Sequence, residues 1–401
     1  MACGHRAARP AAIAVQSAAI AVRLAVIVSA GALLAACSSP PPKTAASQPP
    51  VTASASPSAT ASAPATPTAV PSETPTAAPP GWCQHGGARL WANLTTCGWP
   101  GPGNTGPDMS QCPNGLTADN GPVTRTIRIT TRNTVISCEH VEGIIDVEAP
   151  NFTIKNSIVI ANSGKTGIAA NGSGAIKIED GASAVVDHVK INGDKGVMAC
   201  VWDQGTSEVV EAVNCFGSDD GIWSWADMGY SHTTGDHFVI RDSYIHNLTT
   251  RTSNGHEDGF QTEGASYGVI QHNTVKMTTI ADSALAVWDS LKSSHDILVK
   301  DNLLTGGGFA IYAEDYNPGD GSSPNFQAKG GFSVTDIRYV DNSFSTLASG
   351  CVGAFGVWFE RPWPPYDGGP TDGWHRHGNR VLETGQNVDN GNPTGPGLNC
   401  G

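Results

Sequence analysis

A repeat of short β-type segments fills most of the sequence after Thr126. Each segment places β-branched or apolar residues around a central Asn or Asp, as in "FTIKNSIV" and "LVKDNLL". These central residues follow one another at intervals of 27 to 40 residues: Asn156, Asp187, Asn214, Asp242, Asn273, Asn302, Asn342 and Asn379. Repeats of this length are typical of solenoids and propellers. Because apolar residues at the 3.6-residue helical period are missing, the repeat predicts stacked strands.

A second series of segments lies between those of the first. Each of its members follows a small residue, as in "GIWSWAD", "GFQTEG" and "GFAIYAED". Each repeat should therefore contain at least two strands, and the sequence signatures of a four-stranded propeller blade are missing. The two series together predict a solenoid, in which equivalent residues of successive coils lie about 4.8 Å apart.

Over about Thr126 to Val388 the chain resembles the right-handed parallel β-helix of the pectin-lyase-like superfamily. The segment "CGWPGPGNTG", Cys97 to Gly106, is similar to the entry segment of actinobacterial members. The resemblance implies an all-β fold in which every coil contributes strands to parallel sheets. It also implies that inward-facing Asn side chains stack on one another at the bends. We therefore expect an all-β, right-handed parallel β-helix solenoid.

The first 37 residues have the pattern of a bacterial export signal. The apolar run "LAVIVSAGALLAA", Leu24 to Ala36, follows Arg23 and is too short to be a comfortable membrane span. It ends in "LAAC", Leu34 to Cys37, which resembles the lipobox. That resemblance implies a diacylated Cys37 and a protein anchored by lipid to the outer face of the cell membrane. The alternative is an ordinary cleaved signal with an incidental cysteine.

Residues 38–80 consist almost entirely of Pro, Ala, Ser and Thr. Such a segment buries too little apolar surface to offset its ordering entropy, so we expect a disordered, semi-stiff stalk. The folded part should then comprise residues 81–125, an N-terminal cap, and residues 126–401, the β-helix with C-terminal loops. The chain carries a formal net charge of −13, which argues against nucleic acid and anionic lipid surfaces as partners. We expect a monomer that contacts the membrane only through its lipid.

Eight cysteines follow the stalk, and none forms a CxxC pair: Cys83, Cys97, Cys112, Cys138, Cys200, Cys215, Cys351 and Cys400. An even number in an exported domain favours disulfides over a metal site. Four of them lie between Cys83 and Cys138, so the N-terminal cap is predicted to be stapled by disulfides. The pairing itself is left open by the sequence.

One outer face of the solenoid is predicted to bind a polysaccharide. When the second series is aligned on its small residue, Ile222, Phe260 and Phe309 should point inward, and the alternating residues should point outward. The residues predicted to point outward include Leu285. They also include aromatic and polar side chains: Trp223, Trp225, Asp227, Gln261, Glu263, Asp289, Tyr312 and Glu314. Flat aromatic rings beside carboxylates and amides suit a carbohydrate. The alternative is that a loop covers the tryptophans and makes them part of a core.

The carboxylates at the edge of this face are the catalytic candidates: Asp219, Asp220, His256, Glu257 and Asp258. A ladder of Asp220, Asp258 and Asp282 would bring like charges together. Such acids raise one another's pKa, recruit a cation such as calcium, or splay apart. The first outcome supplies a general acid and the second a calcium site. An Asp-Gly pair before a strand is also ordinary turn chemistry.

Two motifs carry a loose family resemblance at this place. "GSDDG", residues 217–221, and "NGHEDG", residues 254–259, resemble the Gly-Asp-Asp and Gly-His-Gly motifs of polygalacturonases. The resemblance implies glycoside hydrolysis, with Asp219 or Asp220 acting against Asp258 and His256 tuning one of them. The Asn-Thr-Asp and Arg-Ile-Lys triplets of that family do not occur.

Two alternatives to hydrolysis stay open. One is a polysaccharide lyase or epimerase that uses calcium and a base such as His256, Arg251 or Lys292. The other is a non-catalytic glycan-binding protein of the cell surface.

Overall fold

The structure is a computed structural model, and it describes residues 78–165, 173–224, 235–249, 257–277, 281–288, 292–314, 334–346, 351–361 and 373–392. Pro79–Gly401 is one compact unit. The predicted signal, Cys37 and almost all of the stalk lie outside the described residues. Within the described ranges, no helix is both long and apolar enough to cross a membrane.

The described chain winds through nine coils, each with three short strand segments on three faces. Face A comes first in every coil: β2 (Thr126–Ile129), β5 (Ile144–Val147), β7 (Gly174–Ile178), β9 (Ala199–Asp203), β12 (Asp220–Ser224), β15 (Asp258–Glu263), β18 (Ser283–Trp288), β21 (Phe309–Glu314) and β24 (Gly356–Arg361). Face B follows: β3 (Val135–Ser137), the first halves of β6 (Phe152–Ile160) and β8 (Ser183–Asn192), β10 (Ser207–Glu211), β13 (Phe238–Arg241), β16 (Gly268–Gln271), β19 (Ser294–Lys300), β22 (Val334–Val340) and β25 (Trp374–His377).

Face C closes each coil: β4 (Glu139–Glu142), the second halves of β6 and β8, β11 (Asn214–Phe216), β14 (Tyr244–His246), β17 (Thr274–Lys276), β20 (Leu303–Thr305), β23 (Ser343–Phe344) and β26 (Arg380–Val381). Neighbouring coils pair in parallel on all three faces. The fold is therefore an all-β parallel β-helix, as predicted, and the repeat contains three strand segments.

The core is a column of aliphatic and aromatic side chains that lie in register along the inside of face A: Ile127, Ile145, Ile176, Val201, Ile222, Phe260, Leu285, Ile311 and Trp358. Leu285 is fully buried in this column. The prediction that Leu285 points outward is therefore wrong.

A regular bulge in face A explains that error. The pairing steps from Asp258↔Ser283 to Phe260↔Leu285 and leaves Gly259 unpaired, and the neighbouring strands skip the same position. A Cβ on Gly259 would contact Val275 Cγ1, a core atom of face C, so the skipped position faces inward. Two consecutive residues therefore point into the core, and the simple alternation of strand side chains fails from the third coil to the ninth, whereas β2 and β5 pair without a skip.

A ladder of Asn side chains follows the bend between faces B and C. Asn273, Asn302 and Asn342 each donate from Nδ2 to the Oδ1 of the Asn on the next coil, at 2.9 to 3.0 Å, and the ladder ends at Asn379. The stacking predicted for the bends is confirmed for these four residues. The first coils instead hold Ser157 and other residues at the ladder position.

The N-terminal cap is stapled by two disulfides, Cys83–Cys97 and Cys112–Cys138, as predicted. It contains helix α1 (Gly87–Trp91), three 3₁₀ turns (Gly81–His85, Thr95–Cys97 and Met109–Gln111) and β1 (Thr117–Ala118), which pairs with β4.

The cap also lies along face C. Its contacts run from the last coil to the first: Gly87 with Glu383, Trp91 with Ser345, Gly98 with His272, Thr105 with Asn214, and Asp108 with Asn156. A third disulfide, Cys200–Cys215, joins β9 to β11 across the inside of the fourth coil.

Candidate functional site

The outer surface of face A carries two columns of side chains that the bulge separates. The first column runs through Ala199, Asp220, Asp258, Ser283 and Phe309, and the second runs through Trp202, Trp223, Gln261, Ala286, Tyr312 and Phe359. The structure thus brings Trp223, Gln261 and Tyr312 into one row, as the sequence suggested. It also places Asp220 and Asp258 on adjacent coils beside that row.

The register corrects the predicted carboxylate ladder. Ser283, rather than Asp282, occupies the position after Asp258, so the ladder holds two acids and one hydroxyl. Asp282 lies one residue earlier and is half-buried. The three proposed calcium ligands therefore do not form a single column. Within the described ranges, no three His, Cys, Asp or Glu side chains are grouped so that they could hold a metal ion.

Asp220 and Asp258 take part in the hydrogen bonds that join successive coils. Asp220 Oδ1 accepts from the backbone N–H of Asp258 at 2.9 Å, and Asp258 Oδ1 accepts from the hydroxyl of Ser283. Both acids are fully buried. One oxygen of each carboxylate thus forms a hydrogen bond that holds two coils together. This agrees with the alternative that an Asp-Gly pair before a strand is ordinary turn chemistry.

Asp219 and Glu257 precede the two ladder acids and are close to buried, with 5% and 7% of their surface exposed. The backbone carbonyl of Glu257 accepts from the N–H of Asp282 at 3.0 Å, which again links neighbouring coils. Four of the predicted catalytic residues therefore cluster on two adjacent coils under a covered surface.

Trp223 is covered rather than exposed. Only 4% of its surface is accessible, and its ring centroid lies 4.6 Å from that of Trp202 on the preceding coil. Ala199 and the partly buried Met198 pack against this pair. The prediction of an exposed ring is therefore wrong for Trp223. The stacked coils place its indole in van der Waals contact with that of Trp202, and each ring covers part of the other.

Several predicted residues lie outside the described ranges. These are Trp225, Asp227, Arg251, His256 and Asp289, and the same applies to the side chain of Glu314. Lys292, a candidate lyase base, is described: its Nζ lies 2.7 Å from Asp236 Oδ2. The ammonium group of Lys292 is thus paired with the carboxylate of Asp236 at the bend between faces A and B.

The accessible aromatic surface lies on the last two coils. Phe309, Tyr312, Phe355 and Phe359 form a cluster, here named the aromatic cluster, in which ring centroids lie 4.8 to 5.7 Å apart. Phe355 is 41% exposed, and the other three are half-buried. Rings at these separations present edges and faces to a ligand without losing their mutual packing.

Most of this cluster is not predicted by the sequence pattern. Strict alternation from Gly308 places Phe309 inside, because it does not allow for the bulge. The four rings come from two segments that are separate in sequence, "GGFAIY" and "GAFGVWF". The recurrence of aromatic residues in these segments was a usable signal, but it does not show whether each ring points inward or outward.

Polar groups of the same face lie on the sixth coil, two coils before the aromatic cluster. Gln261 is fully buried: its Nε2 donates to Glu263 Oε1 at 2.9 Å, and its Oε1 accepts no hydrogen bond from the described residues. Glu263 pairs in register with Trp288, and both side chains are half-buried. A carboxylate beside a partly exposed ring can bond hydroxyl groups while the ring packs against CH groups.

No protein-family model matches this sequence, and no curated protein matches it either.

Proposed function

We propose that this protein binds a polysaccharide on the outer surface of face A, with the aromatic cluster as the main contact. The observation that carries the proposal is the group of four partly exposed rings on two successive coils. Soluble proteins rarely leave contiguous apolar surface open unless a ligand uses it.

Hydrolysis by carboxylates is the second candidate. Asp220 and Asp258 occupy equivalent positions on adjacent coils, and retaining glycosidases use two such neighbouring carboxyl groups as acid and nucleophile. Asp219 and Glu257 adjoin them. The burial of all four acids and their bonds to neighbouring coils support binding ahead of cleavage.

The compartment forms part of the proposal. Disulfides are typical of exported proteins, and Cys83–Cys97, Cys112–Cys138 and Cys200–Cys215 support an oxidising environment. A lipid on Cys37 would hold the domain at the outer face of the membrane.

Binding is tested with the full chain and a panel of neutral and uronic polysaccharides in affinity electrophoresis. Tyr312→Ala and Phe355→Ala should each weaken binding, by roughly two- to tenfold for a lost ring contact of about 0.5–1.5 kcal/mol. Tyr267→Ala is the matched control, because Tyr267 is 48% exposed at the bend between faces A and B. Equal affinity in all three variants would remove the aromatic cluster from the site.

Cleavage is tested on the same panel by release of reducing ends and by the absorbance of unsaturated products. Reducing ends without that absorbance indicate a hydrolase, and loss of the signal in Asp220→Asn and Asp258→Asn, with binding retained, would assign the acids. Reducing ends that persist in both variants would place cleavage elsewhere.

A further inference from the structure

Two acids lie inside the solenoid with no role in the outer surface. Asp203 ends β9 and Glu208 lies near the start of β10, so both sit at the bend between faces A and B of the fourth coil. The register aligns Asp203 with Ser224 and Glu208 with Phe238, which are interior positions. Both carboxyl groups are fully buried.

The hydrogen bonds of Asp203 and Glu208 leave one oxygen of each carboxyl group without a hydrogen-bond donor. Asp203 Oδ1 accepts from the N–H of Gly205 at 2.8 Å, and Glu208 Oε2 accepts from the hydroxyl of Ser224 at 3.4 Å. Asp203 Oδ2 and Glu208 Oε1 receive no N–H or O–H from the described residues. Ser224 donates to Glu208 and aligns with Asp203 on the neighbouring strand, so both carboxyl groups lie at one buried bend. Because ionised carboxylates only accept, a proton is needed to bridge them.

The neighbouring charges do not neutralise the pair. Asp236 approaches from the start of β13 and adds negative charge. Lys292, which precedes β19, bonds Asp236 Oδ2, and the other oxygen of Asp236 accepts from the N–H of Ser266 at 2.7 Å. The lysine is thus engaged with Asp236, and two ionised carboxylates at this depth would be very costly.

One proton satisfies both remaining oxygens, whereas a bound cation would need more ligands. Among the described residues, no three His, Cys, Asp or Glu side chains are arranged so that they could hold a metal ion. We infer that Asp203 and Glu208 share one proton inside the solenoid, and that this proton makes the bend of the fourth coil a pH-sensitive element of the fold.

The direction of the effect follows from the pKa values. Burial is the largest cause that raises the pKa of Asp203 to about 7, and burial together with the charge of Asp203 raises the pKa of Glu208 well above its ordinary value. Unfolded carboxyl groups titrate near about 4. The stabilising effect of protonation is therefore complete below that pH and is lost as the pH rises first through about 7, the pKa of Asp203, and then through the raised pKa of Glu208.

The same element touches the outer surface. Trp202 directly precedes Asp203, and Trp223 directly precedes Ser224, whose hydroxyl donates to Glu208. Loss of the proton would push Asp203 and Glu208 apart, which would shift the end of β9 beside Trp202 and the Ser224 hydroxyl beside Trp223. We expect the environment of these indoles to change in the same pH range.

The test follows thermal unfolding of the full chain from about pH 5 to about pH 9, where one extra proton bound by the folded state changes the unfolding equilibrium by about tenfold per pH unit. Glu208→Gln mimics the protonated acid, because its amide donates to Asp203 Oδ2. It should lose the part of this slope that Glu208 contributes, and adding Asp203→Asn should remove the rest. Glu211→Gln is the control on the same strand, since Glu211 pairs with Arg241 at the surface at 2.6 Å.

Three results would overturn the inference. The first is an unchanged slope in Glu208→Gln, and the second is a slope that chelator treatment removes, which would assign a cation. The third is the absence, below pH 7, of the protonated carboxyl band in difference infrared spectra of the wild type.

If Glu208→Gln does not fold, Asp203→Asn replaces it, and the infrared measurement needs no variant.

Discussion

Asn302 donates from its Nδ2 to the Oδ1 of Asn342 on the next coil at 2.9 Å, and the same amide also bonds the carbonyl of Ile270 at 2.9 Å. Its own Oδ1 accepts from the backbone and the side chain of Asn273. Each Asn thus satisfies groups on both neighbouring coils, which ties the stability of one coil to the next.

Replacing Asn302 with Ala should destabilise the solenoid. The change removes the acceptor of the buried N–H of Asn273, at about 1–3 kcal/mol for the orphaned group, and it removes the side-chain donor to the carbonyl of Ile270. Urea unfolding of the full chain measures the loss. Asn93→Ala is the control, because Asn93 is exposed and bonds only within the N-terminal cap. Equal midpoints for the two variants would contradict the ladder's role.

His272 should hold the N-terminal cap in a pH-dependent way. Its Nδ1 lies 2.6 Å from Asp242 Oδ1 and its Nε2 lies 2.8 Å from the carbonyl oxygen of Gly98, so only the imidazolium donates to both. The hydrogen bond to Asp242 is the largest cause that raises the pKa of His272, and burial opposes it. The stabilisation is therefore complete below about pH 6.5 and is lost as the pH rises through the raised pKa.

Hydrogen exchange of the cap measures this effect. Protection of residues near Gly98 should fall with rising pH in the wild type and should be lower and independent of pH in His272→Gln, after correction for intrinsic exchange. His188→Gln serves as the control, because His188 pairs with Asp187 at 2.6 Å. A pH-dependent cap in His272→Gln would refute the role of the imidazolium.

The disulfide Cys112–Cys138 should stabilise the attachment of the cap to the first coil. It closes a sequence separation of 26 residues, for which loop entropy gives about 3.5 kcal/mol. The double variant Cys112→Ala, Cys138→Ala should unfold at lower denaturant, and protease should cut the cap first. Removing Cys83–Cys97 instead should leave the first coil protected. Protease cutting in the same order for both variants would show that the first staple has no special role.

Gly259 should not tolerate a side chain, because the bulge points it into the core. A Cβ there would contact Val275 Cγ1 and lie 2.5 Å from the carbonyl oxygen of Ala284. We expect Gly259→Ala to cost about 1–3 kcal/mol of overpacking. Gly81→Ala, with open space around it, is the control. Adding Val275→Ala should recover only part of the loss, since the carbonyl remains, and full recovery would contradict this geometry.

The repeat predicted the solenoid because period and composition are local properties. Strand-length segments every 27 to 40 residues leave few architectures that bury them all. The central Asn residues of the last four coils also predicted the ladder. A buried amide needs hydrogen-bond partners, and in a repeat the same amide on the next coil can supply them.

The candidate site was only partly predictable. The sequence located Trp223, Gln261 and Tyr312 in one outer column, and it located Asp220 and Asp258 on adjacent coils. It did not reveal that Trp223 is covered, because burial depends on Trp202, which belongs to another coil. It also missed the position of Ser283 after Asp258, since register across coils depends on the lengths of the bends.

Repeat length and composition predicted the repeating strands, the stapled cap and the types of side chain on each coil. Which of those side chains face outward depends on the pairing between coils. The bulge at Gly259 and its equivalents in the third to ninth coils reverses the alternation, so Phe309 lies on the outer side beside Tyr312 while Leu285 lies in the core.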